Sequence, residues 1–264
     1  ESTSASFSNF FGYQAGAGSN FQGYNNAPFP IGNNFIGNSA GANVQSYGGP
    51  NTPSIGNNFI GDYAGAGSIG VTGNNFFGFF TGQNSSNLYG NNVIGGYAGN
   101  GATNANYSNF FGYQAGAGTN YANNSIFIGN NAGYNDTVDN SNSGSSILIG
   151  DDTSTNGFSN SISIGRATAN TTSSQLNLGN VIYANNIYTS SITTGDAQTN
   201  GMVGINTNTP AYTLDVSGSI QAATIILNSG TVPETAIEGQ IYYDSGDKHF
   251  YGYNGSGWLQ LDNQ

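Results

Sequence analysis

A short phrase, in which apolar residues are followed by glycine, recurs ten times between residues 9 and 179. The first six copies begin with asparagine, as in Asn92-Val93-Ile94-Gly95, and the last four begin with isoleucine or leucine, as in Ile126-Phe127-Ile128-Gly129. Successive phrase glycines lie 25, 24, 17, 17, 17, 17, 21, 15 and 14 residues apart. Self-similarity at such a period predicts a stacked repeat fold, in which each repeat forms one rung.

The phrases predict short β-strands rather than helices. In Ile162-Ser163-Ile164 the apolar residues alternate with a period of two, which places both isoleucines on one face of a strand. The chain contains 42 glycines in 264 residues, and each glycine inside a helix would cost about 1 kcal/mol relative to alanine. We expect the chain to turn at each phrase glycine, where a positive φ is most easily adopted.

Two positions of each phrase are assigned to a ladder and a core. Stacking identical rungs would bring asparagine over asparagine and form a ladder of side-chain hydrogen bonds, although asparagine is also a common turn residue. The apolar residue directly before the glycine and the late isoleucines three residues before it are assigned to the core. The assigned residues are Asn9, Phe11, Asn34, Ile36, Asn58, Ile60, Asn75, Phe77, Asn92, Ile94, Asn109, Phe111, Ile126, Ile128, Ile147, Ile149, Ile162 and Ile164.

The apolar content of one rung predicts association of several copies. Each rung carries one apolar cluster, and the remainder is mostly glycine, asparagine, serine and alanine. Burial of one such cluster does not offset the conformational entropy lost when a whole rung becomes ordered. We therefore expect an all-β chain with a β-solenoid or β-roll body, intertwined as a homotrimer whose copies share one interior.

The charge, the cysteine content and the apolar runs of the chain argue against several classes of partner and site. The chain has 2 basic and 13 acidic residues and a net charge of −11, which argues against nucleic acid and anionic membrane surfaces as partners. Cysteine is absent, so disulfides and thiolate metal sites are excluded. No apolar run reaches the length of a membrane span, and no signal peptide is visible. We interpret Glu1 as the start of a processed protein or of a fragment.

Composition and pattern divide the chain into three parts: a repeat body over 1–180, a strand-like connector over 181–200 and a terminal β module over 201–264. Prolines between the first three phrases, and the segment 136–146, predict outward excursions. Within the module we expect strands at 214–216, 224–227, 240–243, 249–253 and 258–261. A hairpin is expected to join the third and fourth of them.

Two parts of the chain resemble known families. The late phrases Asn124–Gly129 and Asn160–Gly165, with their 15- and 14-residue spacings, resemble the head repeats of trimeric autotransporter adhesins. That resemblance covers roughly residues 1–180 and implies a three-chain, left-handed β-roll that binds a host surface or matrix. The segments Met202–Gly218 and Glu238–Asp244, with Trp258, are similar to modules that end many phage tail fibres and bacterial surface fibres.

Catalytic and metal-binding chemistry has weak support in the sequence. The single histidine, His249, would need Asp244 or Asp247 and an activated serine to form a triad. Calcium is the one cofactor for which ligands are conceivable, at Asp136, Asp139, Asp151 and Asp152. A carbohydrate depolymerase would need paired carboxylates, whereas Asp215, Glu234 and Glu238 are spread over loops. We expect that the chain is not an enzyme and binds no cofactor.

Aromatic residues follow several phrase glycines at one or two positions. They form outward columns suited to sugar contact or lateral packing, or they are buried between chains; the sequence leaves both readings open. The residues are Tyr13, Tyr63, Phe79, Phe80, Tyr97 and Tyr113.

These features favour a structural, extracellular role on a cell surface or virion. The leading hypothesis is a stiff trimeric shaft used for attachment, with a glycan or protein receptor as the external partner. The alternatives are a self-polymerising surface filament and a disordered, glycine- and asparagine-rich condensate former. Ice binding and depolymerase activity have less support.

Overall fold

The computed structural model describes residues 8–22, 32–47, 56–138, 145–188 and 200–262. These residues form 21 β-strands and no helix, which confirms the predicted all-β class and the solenoid body. The chain divides into two compact units, Glu1–Gly218 and Ser219–Gln264. The predicted excursions at Pro28, Pro30, Pro50 and Pro53, and the candidate ligand Asp139, lie outside the described residues.

The first unit is built on parallel strands that come from the phrases. Its strands are, in chain order, β1 (Asn9–Phe11), β2 (Asn20–Gln22), β3 (Asn34–Ile36), β4 (Gln45–Tyr47), β5 (Asn58–Ile60), β6 (Ile69–Thr72), β7 (Asn75–Phe77), β8 (Ser86–Tyr89), β9 (Asn92–Ile94), β10 (Asn109–Phe111), β11 (Ile126–Ile128), β12 (Ile147–Ile149), β13 (Ile162–Ile164), β14 (Leu176–Leu178), β15 (Ile182–Asn185), β16 (Met202–Ile205) and β17 (Leu214–Val216). The ten phrase strands follow one another in the order β1-β3-β5-β7-β9-β10-β11-β12-β13-β14.

The phrase strands pair in register, so each residue lies over its counterpart in the next rung. Phe76, for example, is the partner of Val93. A second parallel sheet, β2-β4-β6-β8, is continued by single bridges that join Ser86, Thr103, Asn120 and Thr137. A rung therefore consists of a phrase strand, a turn and a second short strand or bridge, and the rungs stack into a two-sided β-solenoid.

The interior is filled by the middle residue of each phrase. The rings of Phe35, Phe59 and Phe76 are fully buried and stack, with centroids 5.1 and 4.7 Å apart. Val71 and Leu88 on the second sheet are also fully buried. The interior thus closes within one chain, and the prediction that other copies must complete it is wrong. Small residues in the turns make this closure possible, because they let the two sheets approach closely.

The assignment of core residues within a phrase also requires correction. Successive side chains of a strand point to opposite faces, so burial of the middle residue turns its two neighbours outward. Ile94, for example, is 43% exposed whereas Val93 is fully buried. The predicted core residues that lie on this outer face, exposed or half-buried, are Phe11, Ile36, Ile60, Phe77, Ile94, Phe111, Ile126, Ile128, Ile147, Ile149, Ile162 and Ile164.

Two glycine positions recur in the turns of the first seven phrases, and each has a steric cause. The phrase glycine Gly61 has φ of +132°, and a Cβ there would collide with the carbonyl oxygen of Gly78 in the next rung. Four residues after a phrase glycine, Gly82 has φ of +61°, and a Cβ there would enter the ring of Phe76. Only glycine meets both requirements, a positive φ and close approach.

The late end of the solenoid has a polar interior. Ser163 and Asn177 take the place of the buried aromatic residues and are fully buried. Ser163 Oγ donates to Thr168 Oγ1 at 2.7 Å, and Asn177 Nδ2 donates to the carbonyl of Ala169 at 2.7 Å. The sheet then continues through the antiparallel strands β15 and β16 and through β17. Residues 201–218 belong by their contacts to this first unit, whereas the sequence placed them with the terminal module.

The second unit contains a four-stranded sheet in the order β18 (Ser229–Gly230), β19 (Ile241–Asp244), β20 (Phe250–Tyr253) and β21 (Trp258–Gln260). The predicted hairpin is confirmed by the antiparallel pairing of β19 with β20. The strand predicted at 224–227 is wrong, because those residues are exposed and unpaired with any strand. Tyr242 and Trp258 pack edge to face on this sheet, with centroids 4.6 Å apart.

We expect Phe76→Ala to destabilise the solenoid much more than Phe77→Ala. Phe76 is fully buried, and truncation of a buried phenylalanine costs about 3–5 kcal/mol. The neighbouring Phe77 lies half-buried on the outer face, so its truncation leaves no internal cavity. Denaturant unfolding followed by far-UV circular dichroism measures both losses. A larger loss at Phe77 would contradict the core assignment.

Candidate functional site

The predicted asparagine ladder is confirmed on the outer face of the phrase strands. Asn58 Nδ2 donates to Asn75 Oδ1 at 2.7 Å, Asn75 to Asn92 at 2.8 Å and Asn92 to Asn109 at 2.9 Å. Two earlier bonds, from Asn9 to Asn34 and from Asn34 to Asn58, measure 2.7 and 2.6 Å. The series stops after Asn109 because an isoleucine occupies the same position in the next rung.

An apolar column runs beside this ladder. It consists of the residues directly before the phrase glycines, such as Ile36, Ile94 and Ile149, which are 40, 43 and 38% exposed. We call the ladder and this column together the phrase face. It carries no charged side chain at either position in any of the ten phrases. Stacked in-register strands therefore give the solenoid one uncharged, largely apolar outer surface.

A second, buried ladder was not predicted. It lies four residues before the phrase glycine, where Asn74 N donates to Asn57 Oδ1 at 3.0 Å and Asn91 N donates to Asn74 Oδ1 at 3.0 Å. Ser108 N continues the series to Asn91 Oδ1 at 2.7 Å, and serines carry it further. The sequence signal was available, since this position is serine, asparagine or glutamine in all ten phrases.

Aromatic side chains cluster on the turn edge, which we define as the first six residues after each phrase glycine. Tyr63, Phe80 and Tyr97 stack along successive rungs, with centroid distances of 5.0 and 5.2 Å. Phe79 and Tyr113 lie beside them and are 48 and 53% exposed. In the single chain these rings face outward, in agreement with the first of the two interpretations of the sequence, that of outward aromatic columns.

Two shallow hollows open on the turn edge, one at each end of the ring stack. The first has a volume of about 290 Å³ and is lined by Tyr63, among others. The second has a volume of about 260 Å³ and is lined by Tyr97. All lining side chains are uncharged at neutral pH, and most of the polar ones are asparagine or glutamine.

The candidate calcium ligands have protein partners. Asp136 is buried, and its carboxylate accepts bonds from Thr155 N at 2.5 Å, Thr155 Oγ1 at 2.9 Å and Ser154 Oγ at 3.1 Å. Asp151 pairs with Arg166 at 3.5 Å, and Asp152 accepts from Asn131. Within the described residues, no three His, Cys, Asp or Glu side chains converge. A calcium site at these residues stays a prediction.

The single histidine makes a different contact from the one a triad needs. His249 Nδ1 lies 3.3 Å from Asp262 in the second unit, and Asp247 instead accepts a 2.5 Å bond from the Tyr251 hydroxyl. That bond, with smaller contributions from desolvation and nearby carboxylates, raises the pKa of Tyr251 to about 12. Desolvation opposes ionisation of Asp262, but bonds from His249 and the Phe250 amide outweigh it and lower its pKa.

The candidate depolymerase carboxylates are divided between the two units. Asp215 belongs to the first unit and accepts a bond from Ala211 N at 2.9 Å. Glu234 and Glu238 are exposed residues of the second unit.

Searches of family models, curated proteins and solved structures found no match to this chain. No helix with the length and apolar character of a bilayer span occurs in the part of the chain that the structure describes.

We expect Asn92→Asp to destabilise the solenoid by about 1–3 kcal/mol, the cost of a broken bond between partly buried polar groups. A carboxylate at 92 can accept from Asn75 but cannot donate to Asn109 Oδ1, so two oxygens would face each other. Urea unfolding measures the loss. The matched control is Asn109→Asp, which still accepts from Asn92 and breaks no onward ladder bond. Equal losses would contradict the ladder.

We expect the Asp262 carboxyl to titrate below its ordinary pKa of 3.8, and His249→Ala to move that pKa back towards 3.8. Because the folded pKa is lowered, the stabilisation is present above pH 3.8 and is lost as the pH falls through the folded value. Carboxyl ¹³C shifts recorded across the acid range measure the pKa. An unchanged pKa in the variant would show that His249 does not contribute.

Proposed function

We propose that this chain is a structural, extracellular fibre protein, a tail fibre or cell-surface adhesin that forms a stiff shaft for attachment. The observation that carries the proposal is the phrase face. Ten stacked phrase strands present one uncharged surface, with exposed or half-buried apolar side chains repeating at every rung. A surface of this kind is typical of a protein–protein interface, and its length matches lateral association along the whole solenoid.

The oligomer that we propose is a homotrimer. The sequence predicted a trimer whose copies share one interior. The structure does not support that arrangement, because each chain closes its own core. Three copies would instead bring their phrase faces together around one axis, and the apolar columns would be buried between chains. The resemblance to trimeric adhesin heads and tail-fibre modules supports this stoichiometry, and the absence of charged residues from the phrase face permits close contact between copies.

A fibre on a cell surface or virion explains the remaining properties without enzymatic activity. Ladder bonds and stacked rings give stiffness along the axis. Sparse charge over the repeat body, where Asp62 is the single charged residue between Ser2 and Asn135, limits non-specific electrostatic attachment. The external partner is a surface glycan or protein receptor.

The second candidate is a filament that polymerises end to end, and one observation favours it. Among the described residues, β1 has a neighbouring strand on one side only. Its middle residue, Phe10, is 37% exposed, whereas the equivalent Phe35 is fully buried. An edge with an apolar residue in this position is a template for pairing with another chain.

The trimer is tested by placing charge on the phrase face. We expect the wild type to sediment with three times the 27.2 kDa chain mass, and the double variant Ile94→Asp, Ile128→Asp to sediment as a monomer. Both residues are exposed in the single chain, so the variant should keep a β-type circular dichroism spectrum. Three desolvated carboxylate rows around one axis would repel each other strongly.

The matched control is Ile69→Asp, which changes an isoleucine of similar exposure, 45%, on the second sheet. This variant should remain trimeric. A monomeric wild type throughout the micromolar range would overturn the trimer, and filaments that lengthen with concentration in electron micrographs would favour end-to-end polymerisation.

A further inference from the structure

The two hollows of the turn edge are created by a change of residue in one column. Five residues after the phrase glycine, the chain has Ala42 and Ala66, then Gln83 and Asn100, then Ala117. The alanines are buried and line the two hollows, whereas Gln83 lines the first hollow and Asn100 the second. We call these two amides the ridge, because they belong to the two rungs between the alanines of the first hollow and Ala117 of the second. On the ridge Asn100 Nδ2 donates to Gln83 Oε1 at 3.3 Å.

Each hollow combines an aromatic ring with amide groups. In the first, Tyr63 ends the ring stack, and the Asn84 side chain lies over Gly67, where a Cβ would contact Asn84 Oδ1 at 2.5 Å. In the second, Tyr97 ends the same stack, and the Asn135 side chain lies over Gly118 in the same way. Tyr134, which is 47% exposed, adds a second ring there.

The aromatic residues of the stack occupy a backbone conformation that disfavours them. Tyr63, Phe80 and Tyr97 have φ of +58°, +54° and +58°. Bulky residues rarely adopt this region, which glycine and asparagine enter most easily. The equivalent position of a later rung is indeed Asn131. Residues in this conformation cluster at binding sites, and in these three rungs the strained residue is also one whose ring stacks on its neighbours.

We propose that the turn edge binds a linear, uncharged polysaccharide, with one stretch of sugar in each hollow against Tyr63 or Tyr97. An aromatic ring attracts the polarised C–H groups on the face of a pyranose ring, and amide groups both donate to and accept from sugar hydroxyls. The lining carries no charged side chain, so a charged glycan would gain no ion pair. The inference rests on the proposed attachment role and names its receptor class.

The repeat of the solenoid suits an extended ligand. Neighbouring rungs are about 4.8 Å apart, close to the advance of one sugar ring along an extended chain. The second hollow spans three rungs, from Tyr97 through Gln114 to Tyr134, so it is long enough for a disaccharide unit. A polysaccharide that runs parallel to the solenoid axis would meet an aromatic ring and amide groups again in the other hollow, beyond the ridge.

The test is a titration of the full-length protein with hexasaccharides, measured by isothermal calorimetry. The probes are uncharged β-linked glucose, mannose and N-acetylglucosamine oligomers, and an acidic oligouronate. We expect at least one uncharged oligomer to bind and the oligouronate not to bind. Tyr97→Ala should weaken binding about tenfold. Tyr107→Ala is the matched control, because Tyr107 is exposed and has nearly the same φ, +56°, but lines neither hollow.

A second pair of variants fills the hollows without removing a ring. Ala66→Gln and Ala117→Asn copy the residues that the ridge carries natively at the equivalent position, so the fold should tolerate them. Combined in one chain, they should abolish binding while the circular dichroism spectrum and sedimentation mass remain those of the wild type.

Absence of binding to every uncharged oligomer, or equal binding by wild type and the filled variant, would overturn the proposal. Loss of lateral assembly in the filled variant would also overturn it, because the hollows would then hold a second copy of the chain. The trimer assay reports separately on the fibre role, so a wild-type trimer that binds no sugar would refute the glycan site alone.

Discussion

The in-register stacking of parallel rungs is the constraint on which the rest of this structure depends. Because Phe76 lies over Val93 and Asn75 lies over Asn92, every position of the repeat becomes a column. A residue type that packs well against its own copies is therefore favoured in its column. Asparagine side chains hydrogen-bond to the asparagine of the next rung, and phenylalanine rings stack on one another. Glycine allows the backbones of Gly61 and Gly78 to approach closely. Each column alone is weak, and their cooperation over ten rungs gives a single register.

The sequence was sufficient to predict the rungs, the phrase strands, the turn glycines and the outer ladder, because each depends on a position that repeats. It was insufficient to orient the strands. Phe59 and Ile60 are both apolar, so hydrophobicity cannot decide which of them is buried. The following turn determines that Phe59 is the buried one, because Ala64 and Gly65 are small and leave space that the Phe59 ring fills. The late phrase Ile162-Ser163-Ile164 misled the assignment, because its buried Ser163 finds a partner in Thr168.

The interior changes character along the solenoid as the parallel stack approaches its last rung. From Phe35 onwards the middle column proceeds from phenylalanine through Leu148 to Ser163 and Asn177, all fully buried. Polar interior groups need specific partners, whereas apolar ones accept any close neighbour. The last rungs are therefore held by specific hydrogen bonds, such as the one from Asn177 Nδ2 to the carbonyl of Ala169, and not by aromatic packing. The antiparallel strands β15 and β16 follow at this point and cover the sheet edge that an apolar rung would leave open.

On both the phrase face and the turn edge, in-register stacking turns each position of the repeat into a column. The columns of the two surfaces differ in how regularly their residue type is kept. On the phrase face, apolar residues persist at every rung, which suits a partner that also repeats, such as further copies of the chain. On the turn edge, the columns are interrupted: alanine gives way to Gln83 and Asn100, and aromatic residues occupy positive-φ positions in three consecutive rungs. Uniform columns are sufficient for stacking, so such interruptions need a separate cause. Recognition of a ligand that spans a limited number of rungs would supply one, because it requires particular residues at particular rungs.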